Sequence, residues 1–387
     1  MRICIVYDCL YPHTVGGAER WYRSLAERLA ADGHDVTYLT LRQWAQDDSP
    51  DIDDCVRVVA VGPQMELYGE GGQRRILPPL RFGAGVLWHL LRHGRRYDVV
   101  HTASFPYFSL LAAGLVRPLH RYRLVVDWFE VWTREYWQEY LGRVAGRIGH
   151  GVQSLCERIP QRAFCFSRLH AERLEKQGLR GSAVVLTGIY AGTSEPVTAV
   201  EPDRLVVFAG RLIPEKRPAL AADAMARAAQ RLPGLEGVVY GDGPERAAVE
   251  RAISELGADG VVSAPGFVDA EVIDAAMRRA LCLLLPSRRE GYGLVVVEAA
   301  ARGTPTIVVA GSDNAATELI EDGVNGFIVG SDEADALASA IVRVSEAGLA
   351  MRASTAEWFA ANAERLSLEG SLKAVLQTYA APASARR

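Results

Sequence analysis

The sequence has few lysines and none of the cysteine patterns that indicate a metal site. Only three of its 43 basic residues are lysine, namely Lys176, Lys216 and Lys373. Its six cysteines form no Cys-x-x-Cys pair and no cluster with histidine, which favours reduced, packed thiols. No apolar run approaches the ~18 residues of a membrane span, and the first residues lack the layout of a signal peptide. We therefore expect a cytoplasmic protein.

Neither sign of charge dominates the chain. The 387 residues carry 43 Lys+Arg against 47 Asp+Glu, a formal net charge of −4, so binding to nucleic acid through bulk charge is not indicated. Apolar residues make up 49% and charged residues 23%, as in soluble globular proteins. At ~150 residues per domain, the length predicts two or three domains.

Short apolar strands alternate with amphipathic helices in two successive series. The first series has strands at 2–7, 35–40, 57–61, 97–101 and 123–127. A polar linker at 192–203 separates it from a second series with strands at 205–209, 237–240, 281–285 and 306–309. This order predicts two doubly wound α/β domains, whose ligands bind at the carboxyl ends of the strands. Two such edges facing each other would form a deep cleft.

Two glycines stand between the first strand and the first helix. Gly16 and Gly17 would let backbone N–H groups approach an anion at the helix N-terminus. They do not form the Gly-x-Gly-x-x-Gly fingerprint of dinucleotide-binding proteins, and a purely structural turn is an equal alternative.

Two cations follow the first strand of the second series. Arg211 and Lys216 lie in FAGRLIPEKRP, where they could clamp a diphosphate. A solvated charged loop is the alternative. Because lysine is scarce in this sequence, its presence at position 216 indicates that a compact ammonium group is specifically required there.

The segment PSRREGYGLVVVEAAARGTP combines two carboxylates with a glycine-rich turn. Glu290 lies in the turn, and Glu298 lies about one turn into the helix that begins near Leu294. Both carboxylates can face the same space, and each can accept hydrogen bonds from a vicinal diol of a ribose or sugar ring. The backbone amides of Gly293, Leu294 and Val295 between them suit phosphate.

His101 ends the predicted strand at 97–101. At that position it could donate a hydrogen bond to a sugar hydroxyl or a phosphate. A histidine buried against a local partner is the alternative.

These segments together resemble the retaining glycosyltransferases of family 4, which have the two-domain GT-B fold and use nucleotide-sugar donors. The matching segments are VGGAER, FAGRLIPEKRP, YGDGPER, PSRREGYGLVVVEAAARGTP and DNAATELIEDGVNGFIV. The resemblance implies an N-terminal Rossmann-like, acceptor-binding domain at 1–191 and a nucleotide-sugar donor domain at 192–370. It also implies that residues 371–387 form a helix and tail that return to the first domain.

The resemblance also implies a role for each matching residue. Arg211 and Lys216 would neutralise the donor diphosphate, Glu290 would hold the transferred sugar and Glu298 the ribose. The remaining donor contacts would be Gly16, Gly17, Phe267, Val268, Gly293, Leu294 and Val295, and His101 would line the site. No metal and no other cofactor is implied, and no Asp-x-Asp metal motif stands out in a cleft position. The reaction would be front-side displacement with retention of configuration.

One position departs from the family pattern. Many members carry a histidine where this sequence has Phe129, after the predicted strand at 123–127. Asp127 or Glu130 would then contact the acceptor. The aromatic side chains that follow, from Trp132 to Tyr140, could form an acceptor wall or belong to a core.

Other functions and partners remain open. A nucleotide-sugar epimerase or a non-catalytic nucleotide-sugar binding protein could use the same fold, whereas the glycine fingerprint of a dehydrogenase is absent. The acceptor would be a glycan, a lipid-linked sugar or a small molecule. Residues 74–123 hold nine arginines and one acid, Asp98. This segment could contact anionic lipid at the inner face of a membrane or be an ordinary solvated surface.

Overall fold

The chain forms two compact units, each built on a parallel sheet. A computed structural model describes residues 1–45, 48–67, 75–193, 195 and 197–380. Unit 1 comprises Met1–Leu186 together with the chain from Ser371 onward, and unit 2 comprises Thr187–Gly370. Arg74, which belongs to the arginine-rich segment 74–123, lies outside the described residues. So do residues 381–387, which belong to the predicted C-terminal helix and tail.

Unit 1 contains a seven-stranded sheet in the order β3-β2-β1-β4-β5-β6-β7. Its strands are β1 Arg2–Val6, β2 Asp35–Leu41, β3 Val56–Gly62, β4 Val99–Ala103, β5 Arg123–Trp128, β6 Gln161–Cys165 and β7 Gly181–Val185. Its helices are α1 Gly17–Ala31, α2 Leu77–His93, α3 Tyr107–His120, α4 Arg134–Leu141, α5 Arg143–Glu157 and α6 Arg168–Gln177.

One face of this sheet carries α2, α3, α5 and α6. Apolar side chains from these helices pack with alternate residues of the strands in a single core cluster, which includes Phe82, Leu110, Cys156 and Leu174. The alternation follows from the two-residue period of a strand, which sends successive side chains to opposite faces.

Unit 2 repeats the plan with a six-stranded sheet in the order β10-β9-β8-β11-β13-β15. Its strands are β8 Leu205–Ala209, β9 Glu236–Tyr240, β10 Val262–Gly266, β11 Cys282–Leu285, β13 Thr306–Val309 and β15 Gly326–Val329, and a separate pair is formed by β12 Arg289–Glu290 and β14 Asp313–Asn314. Its helices are α7 Pro218–Arg231, α8 Arg246–Glu255, α9 Ala270–Arg279, α10 Leu294–Ala300 and α11 Ala334–Leu366, the last interrupted at Gly348.

The last helix of the described chain, α12, spans Leu368–Ala380. It starts at the end of unit 2 and continues into unit 1, because the division falls between Gly370 and Ser371. Its residues Leu372, Val375 and Tyr379 are buried. No helix in the described ranges is both long and apolar enough to cross a membrane.

The predicted class of two doubly wound parallel sheets is confirmed. Both sheets are parallel and have helices connecting their strands. The strands β6, β7, β10 and β15 were not among the predicted ones. In addition, β4 was expected to end at His101 but continues to Ala103, because Thr102 and Ala103 still pair with Val126 and Asp127 of β5.

Close backbone approach holds the loops after β8 and β9 together. Gly241 follows β9 with φ +131°, and a Cβ added there would collide with the carbonyl oxygen of Gly210, which follows β8. The Gly210 amide also donates to Tyr240 O at 3.1 Å. Only glycine combines this dihedral angle with this contact.

We expect Gly241→Ala to lower the free energy of unfolding by about 1–3 kcal/mol, because the new methyl group meets backbone and the dihedral angle is strained. Gly151→Ala is the matched control, since Gly151 lies within α5 and nothing surrounds its Cβ position within 4 Å. The control should be neutral or stabilising by up to about 1 kcal/mol. Denaturant unfolding measures both, and equal effects would contradict the assigned contact.

Candidate active site

The strand order of unit 2 reverses between β8 and β11, which are neighbours in the sheet. The chain proceeds from β8 outward to β9 and β10, and then from β11 outward on the other side. The loops after β8 and β11 therefore leave the sheet side by side at its carboxyl edge, which is the position where doubly wound sheets bind ligands. The loop after β8 carries the two predicted cations, and the segment after β11 carries Glu290 and leads into α10, which carries Glu298.

Lys216 and Glu290 meet at this position. The Lys216 Nζ donates to Glu290 Oε1 at 2.5 Å, although 74 residues separate them along the chain. Their side chains are only 17% and 11% exposed. The lysine stem lies over Gly210, where an added Cβ would come within 3.3 Å of Lys216 Cδ. The structure thus brings together the cation and the carboxylate that were predicted from separate motifs.

Two residues that the sequence analysis missed hold Glu290 in place. The buried Ser287 hydroxyl donates to Glu290 Oε1 at 2.8 Å. The Asn314 amide donates to Ser287 O at 3.0 Å and to Val309 O at 2.8 Å, and Asn314 pairs with Glu290 across β12 and β14. The only signal for Ser287 was its position just after β11. Nothing local indicated Asn314, because its partners lie on β13 and the loop after β11.

The helix α10 begins directly after the glycine-rich turn. Its N-cap residue is Gly293, with φ +95°, and no side chain caps the helix. A Cβ at Gly293 would come within 2.8 Å of Ala316 Cβ, so a glycine is needed there. Leu294 and Val295 follow as half-buried residues of the first turn.

Glu298 lies in the next turn of α10 and is half-buried. Its backbone carbonyl accepts a hydrogen bond from Arg302, whose guanidinium also binds Asp274. In the turn before α10, the Tyr292 hydroxyl donates to Thr187 O at 2.6 Å. Burial raises the pKa of Tyr292, so this phenol stays neutral and serves as an anchor for the turn.

The other predicted donor contacts of unit 2 are open to solvent. Arg211 is exposed at the start of the loop that ends at Lys216. Phe267 follows β10 and is 70% exposed, and Val268 beside it is half-buried. An aromatic side chain with this exposure is available to stack on a planar ring.

In unit 1, Gly16 lies between β1 and α1, and Gly17 is the first residue of α1. Gly16 is the N-cap residue of α1, and no side chain caps the helix. The Glu19 carboxylate lies over Gly16, so that a Cβ at residue 16 would collide with it. Gly17 has open space at its Cβ position, which leaves its backbone approachable.

The prediction that His101 lies at the edge of the sheet is wrong. His101 is fully buried inside β4. Its Nε2 is 2.8 Å from Asp127 Oδ1, and its Nδ1 is 2.6 Å from the Tyr379 hydroxyl on α12. With both ring nitrogens occupied, His101 ties the C-terminal helix to β5 instead of contacting a substrate.

The prediction that Asp127 contacts an acceptor is wrong for the same reason. Asp127 is fully buried, and its second oxygen accepts from Trp21 Nε1 at 2.8 Å. Glu130 is half-buried and accepts from Trp132 Nε1 at 2.9 Å, so its contact with an acceptor stays a prediction. Phe129 stacks on Phe166 with ring centroids 4.5 Å apart.

Two of the aromatic side chains after β5 belong to the core of unit 1. Trp137 and Tyr136 are buried, and Trp137 Nε1 donates to Gln153 Oε1 at 2.8 Å. Trp132 packs against both rings and is half-buried. The sequence left open whether these aromatic side chains form an acceptor wall or belong to a core. Trp137 and Tyr136 belong to the core.

Each of the two units matches a known protein family. The family described as "Glycosyl transferase 4-like domain" matches residues 16–189, and the family described as "Glycosyl transferases group 1" matches residues 193–364. The chain belongs to the GT-B glycosyltransferases of the family 4 type. The segment matches and the two sheets of this glycosyltransferase thus agree with the predicted family.

Individual relatives share modest sequence identity with this glycosyltransferase. The alpha-D-kanosaminyltransferase of Streptomyces kanamyceticus is 31% identical over 140 residues, 36% of either chain. The phosphatidyl-myo-inositol mannosyltransferase of Mycolicibacterium smegmatis is 29% identical over 92% of this chain and 88% of its own. The chain spans only 32–42% of the length of four curated relatives, one of which is the kanosaminyltransferase.

A solved structure shows the same fold. The sucrose-phosphate synthase of Thermosynechococcus elongatus superposes with a TM-score of 0.77 at 19% identity, covering 98% of both chains. At this identity the likeness concerns the fold of the glycosyltransferase and not its substrate.

We expect Asp127→Ala to destabilise the protein by roughly 3 kcal/mol, because it leaves the buried donors of Trp21 and His101 without their acceptor. Glu130→Ala removes a carboxylate that is only half-buried and should cost under about 1 kcal/mol. Denaturant unfolding measures the free energy of unfolding of both variants and shows whether Asp127 stabilises the core. A stable Asp127→Ala variant with lost activity would restore Asp127 as a substrate contact.

Proposed function

We propose that the protein transfers a hexosyl or N-acetylhexosaminyl group from a nucleotide-diphosphate sugar to a hydroxyl of an acceptor. The proposal includes retention of configuration and independence from divalent metal. The acceptor is a glycan, a lipid-linked sugar or a small molecule. The printed names of the two relatives above refer to kanosaminyl and mannosyl transfer, which supports a sugar as the transferred group.

The observation that carries the proposal is the contact between Lys216 and Glu290 at the carboxyl edge of β8 and β11. A diphosphate is bound by cations, and the hydroxyls of a sugar are bound by hydrogen-bond acceptors. A site for the bond between diphosphate and sugar therefore needs a cation and an acceptor side by side. The pair supplies this combination at the position where the fold binds ligands.

Charge develops on the diphosphate as the bond to the sugar breaks. Lys216 and the exposed Arg211 offer two cations on one loop, and the uncapped start of α10 adds backbone N–H groups. Charge-assisted hydrogen bonds contribute about 1.5–3 kcal/mol each, and cations fixed in advance act most strongly on charge that forms during the reaction. In this proposal they stabilise the leaving nucleotide in the role that a metal ion has in other enzymes.

In this proposal the two carboxylates bind different parts of the donor. Glu290, bound by Lys216 and Ser287, accepts hydrogen bonds from hydroxyls of the transferred sugar. Glu298, about one turn into α10, accepts from the ribose diol. Phe267 and Val268 lie beside the base, where the exposed ring can stack on it.

Retention is proposed from the resemblance to a retaining family and would proceed by front-side displacement. Glu290 is held by an ammonium and a hydroxyl, which suits a hydrogen-bond acceptor better than a nucleophile. Retention without a covalent intermediate requires the acceptor to attack on the face from which the nucleotide leaves, and the departing phosphate takes the proton of the acceptor hydroxyl. The new bond then has the configuration of the old one.

We expect Glu290→Gln to lower kcat by about 10- to 100-fold with little change in KM, because its contact to the sugar strengthens in the transition state. Glu298→Gln should chiefly raise the donor KM, because the ribose does not change during the reaction. Steady-state kinetics with a panel of nucleotide sugars measures both parameters. Glu271→Gln, an exposed change on α9, is the control, and the reverse pattern would show that the two roles are exchanged.

We expect activity to persist in excess chelator and to fall by about 10- to 100-fold in Arg211→Ala and in Lys216→Ala, since each removes one charge-assisted contact. Lys216→Arg should rescue only in part, because a planar fork replaces a compact ammonium. Lys176→Ala, on an exposed lysine of α6, controls for loss of charge.

The same experiment can overturn the metal-free mechanism. Inactivation by chelator with recovery on adding Mg²⁺ or Mn²⁺ would assign the leaving-group charge to a metal ion. Arg211 and Lys216 would then be residues that bind the donor without stabilising its departure. The anomeric configuration of the product, read by NMR coupling constants, tests retention separately.

A further inference from the structure

Exposed apolar side chains are concentrated on three helices of unit 1. The helices α2, α3 and α5 expose large apolar residues that include Trp88, Leu91, Leu115, Leu119, Val144 and Ile148, and Trp88 is 59% exposed. In the described part of unit 2, the exposed large apolar residues are Val200, Phe267, Val272 and Leu349, which lie on separate elements. Single exposed apolar residues are ordinary, but a cluster of them marks an interaction surface.

The three helices lie side by side on one face of the sheet. Their inner residues belong to one core cluster. The His120 ring at the end of α3 contacts Leu91 O on α2 at 3.2 Å, and a Cβ at Gly114 of α3 would meet Ile159, which follows α5, at 2.8 Å. Their outer residues therefore lie on the same face of unit 1, here called the basic apolar face.

Each helix presents its exposed residues as a stripe along one side. On α2 the exposed positions run from Leu77 through Arg81 and Trp88 to Arg92. On α5 they include Val144 and Ile148, four residues apart. These spacings place the side chains of each helix above one another.

The charge on this face has one sign. The helices α2 and α3 contain no acidic residue, and the one acid of α5, Glu157, is buried. Exposed arginines stand beside the apolar stripes: Arg81, Arg92, Arg95, Arg143 and Arg147. Among the residues that the structure describes, none of these five forms an ion pair with a carboxylate, and Arg92 lies over the Trp88 ring at 3.3 Å from its centroid.

We propose that the basic apolar face binds the surface of a bilayer that contains anionic lipids. A bilayer interface offers acyl chains to the leucines and valine, and negative head groups to the arginines, within a few ångströms of depth. Tryptophan with an adjacent cation is favoured at this depth. The centre of a protein interface is depleted of charge, whereas these arginines alternate with the apolar residues and would be buried there without partners.

This inference goes beyond the transferase proposal and does not depend on it. Vesicle binding is measured on the full chain without donor or acceptor, so loss of the proposed catalytic roles would leave it unaffected. The probes are vesicles of phosphatidylcholine alone and vesicles that also contain phosphatidylglycerol. Co-sedimentation gives the bound fraction at each lipid concentration.

We expect binding to the vesicles with phosphatidylglycerol and at least about tenfold weaker binding to phosphatidylcholine alone, since each arginine near an anionic surface adds to the affinity. Raising the salt from about 0.1 M to about 1 M shortens the screening length from about 10 Å to about 3 Å and should release most of the protein. Arg92→Glu with Arg95→Glu, and separately Leu115→Ser with Leu119→Ser and Ile148→Ser, should each weaken binding at least about tenfold.

Matched changes on unit 2 serve as controls. Arg251→Glu on α8 and Val272→Ser on α9 alter exposed residues of the same kinds and should bind like the wild-type protein. Circular dichroism and thermal unfolding verify that each variant is folded. If a variant of the face unfolds, the lipid and salt series on the wild-type protein still decide the proposal.

Two outcomes would overturn the proposal. One is absent binding, or binding that is insensitive to phosphatidylglycerol and salt. The other is a dimer, seen by light scattering, that the Leu115, Leu119 and Ile148 substitutions dissociate while vesicles bind no protein. The second outcome would assign the face to a second copy of the chain.

Discussion

The parallel direction of the strands governs where this protein can place its chemistry. In both large sheets every described pair of neighbouring strands is parallel, so successive strands end at the same edge. In unit 2 the loops after β8 and β11 emerge next to each other, and residues from distant parts of the sequence come within hydrogen-bonding distance. The contact between Lys216 and Glu290 is a consequence of this geometry.

The same geometry explains why two acidic residues near strand ends have different environments. Glu290 lies beyond β11, in a short strand of its own, and retains some exposure next to a cation. Asp127 lies within β5 and is enclosed by α1, β4 and α12 through Trp21, His101 and Tyr379. A carboxylate placed well beyond the end of a strand can thus meet a ligand, whereas a carboxylate within a strand holds the core together.

The sequence predicted the parts of the protein that depend on local pattern. Apolar strands followed by glycine-rich turns located the loops after β8 and β11 and the start of α10, because strand ends and helix starts have their own residue preferences. The end of β4 was not predictable in this way, since Thr102 and Ala103 remain in the strand through pairing with β5. Ser287 and Asn314 were missed because their role depends on a third segment, the β12 and β14 pair. The partners of His101 lie 26 and 278 residues away, beyond any local pattern.

The C-terminal helix has a consequence for how the protein is made. Tyr379 is fully buried in unit 1 and bonds to His101 in the middle of its sheet. During synthesis the first 186 residues leave the ribosome long before Tyr379 does, and domains that lie wholly upstream can fold at that stage. Unit 1 cannot complete its core at that stage, because one of its buried side chains is translated only after the whole of unit 2. Its final packing therefore follows the synthesis of unit 2, and a nascent chain stalled before α12 carries a first unit with an unfilled interior.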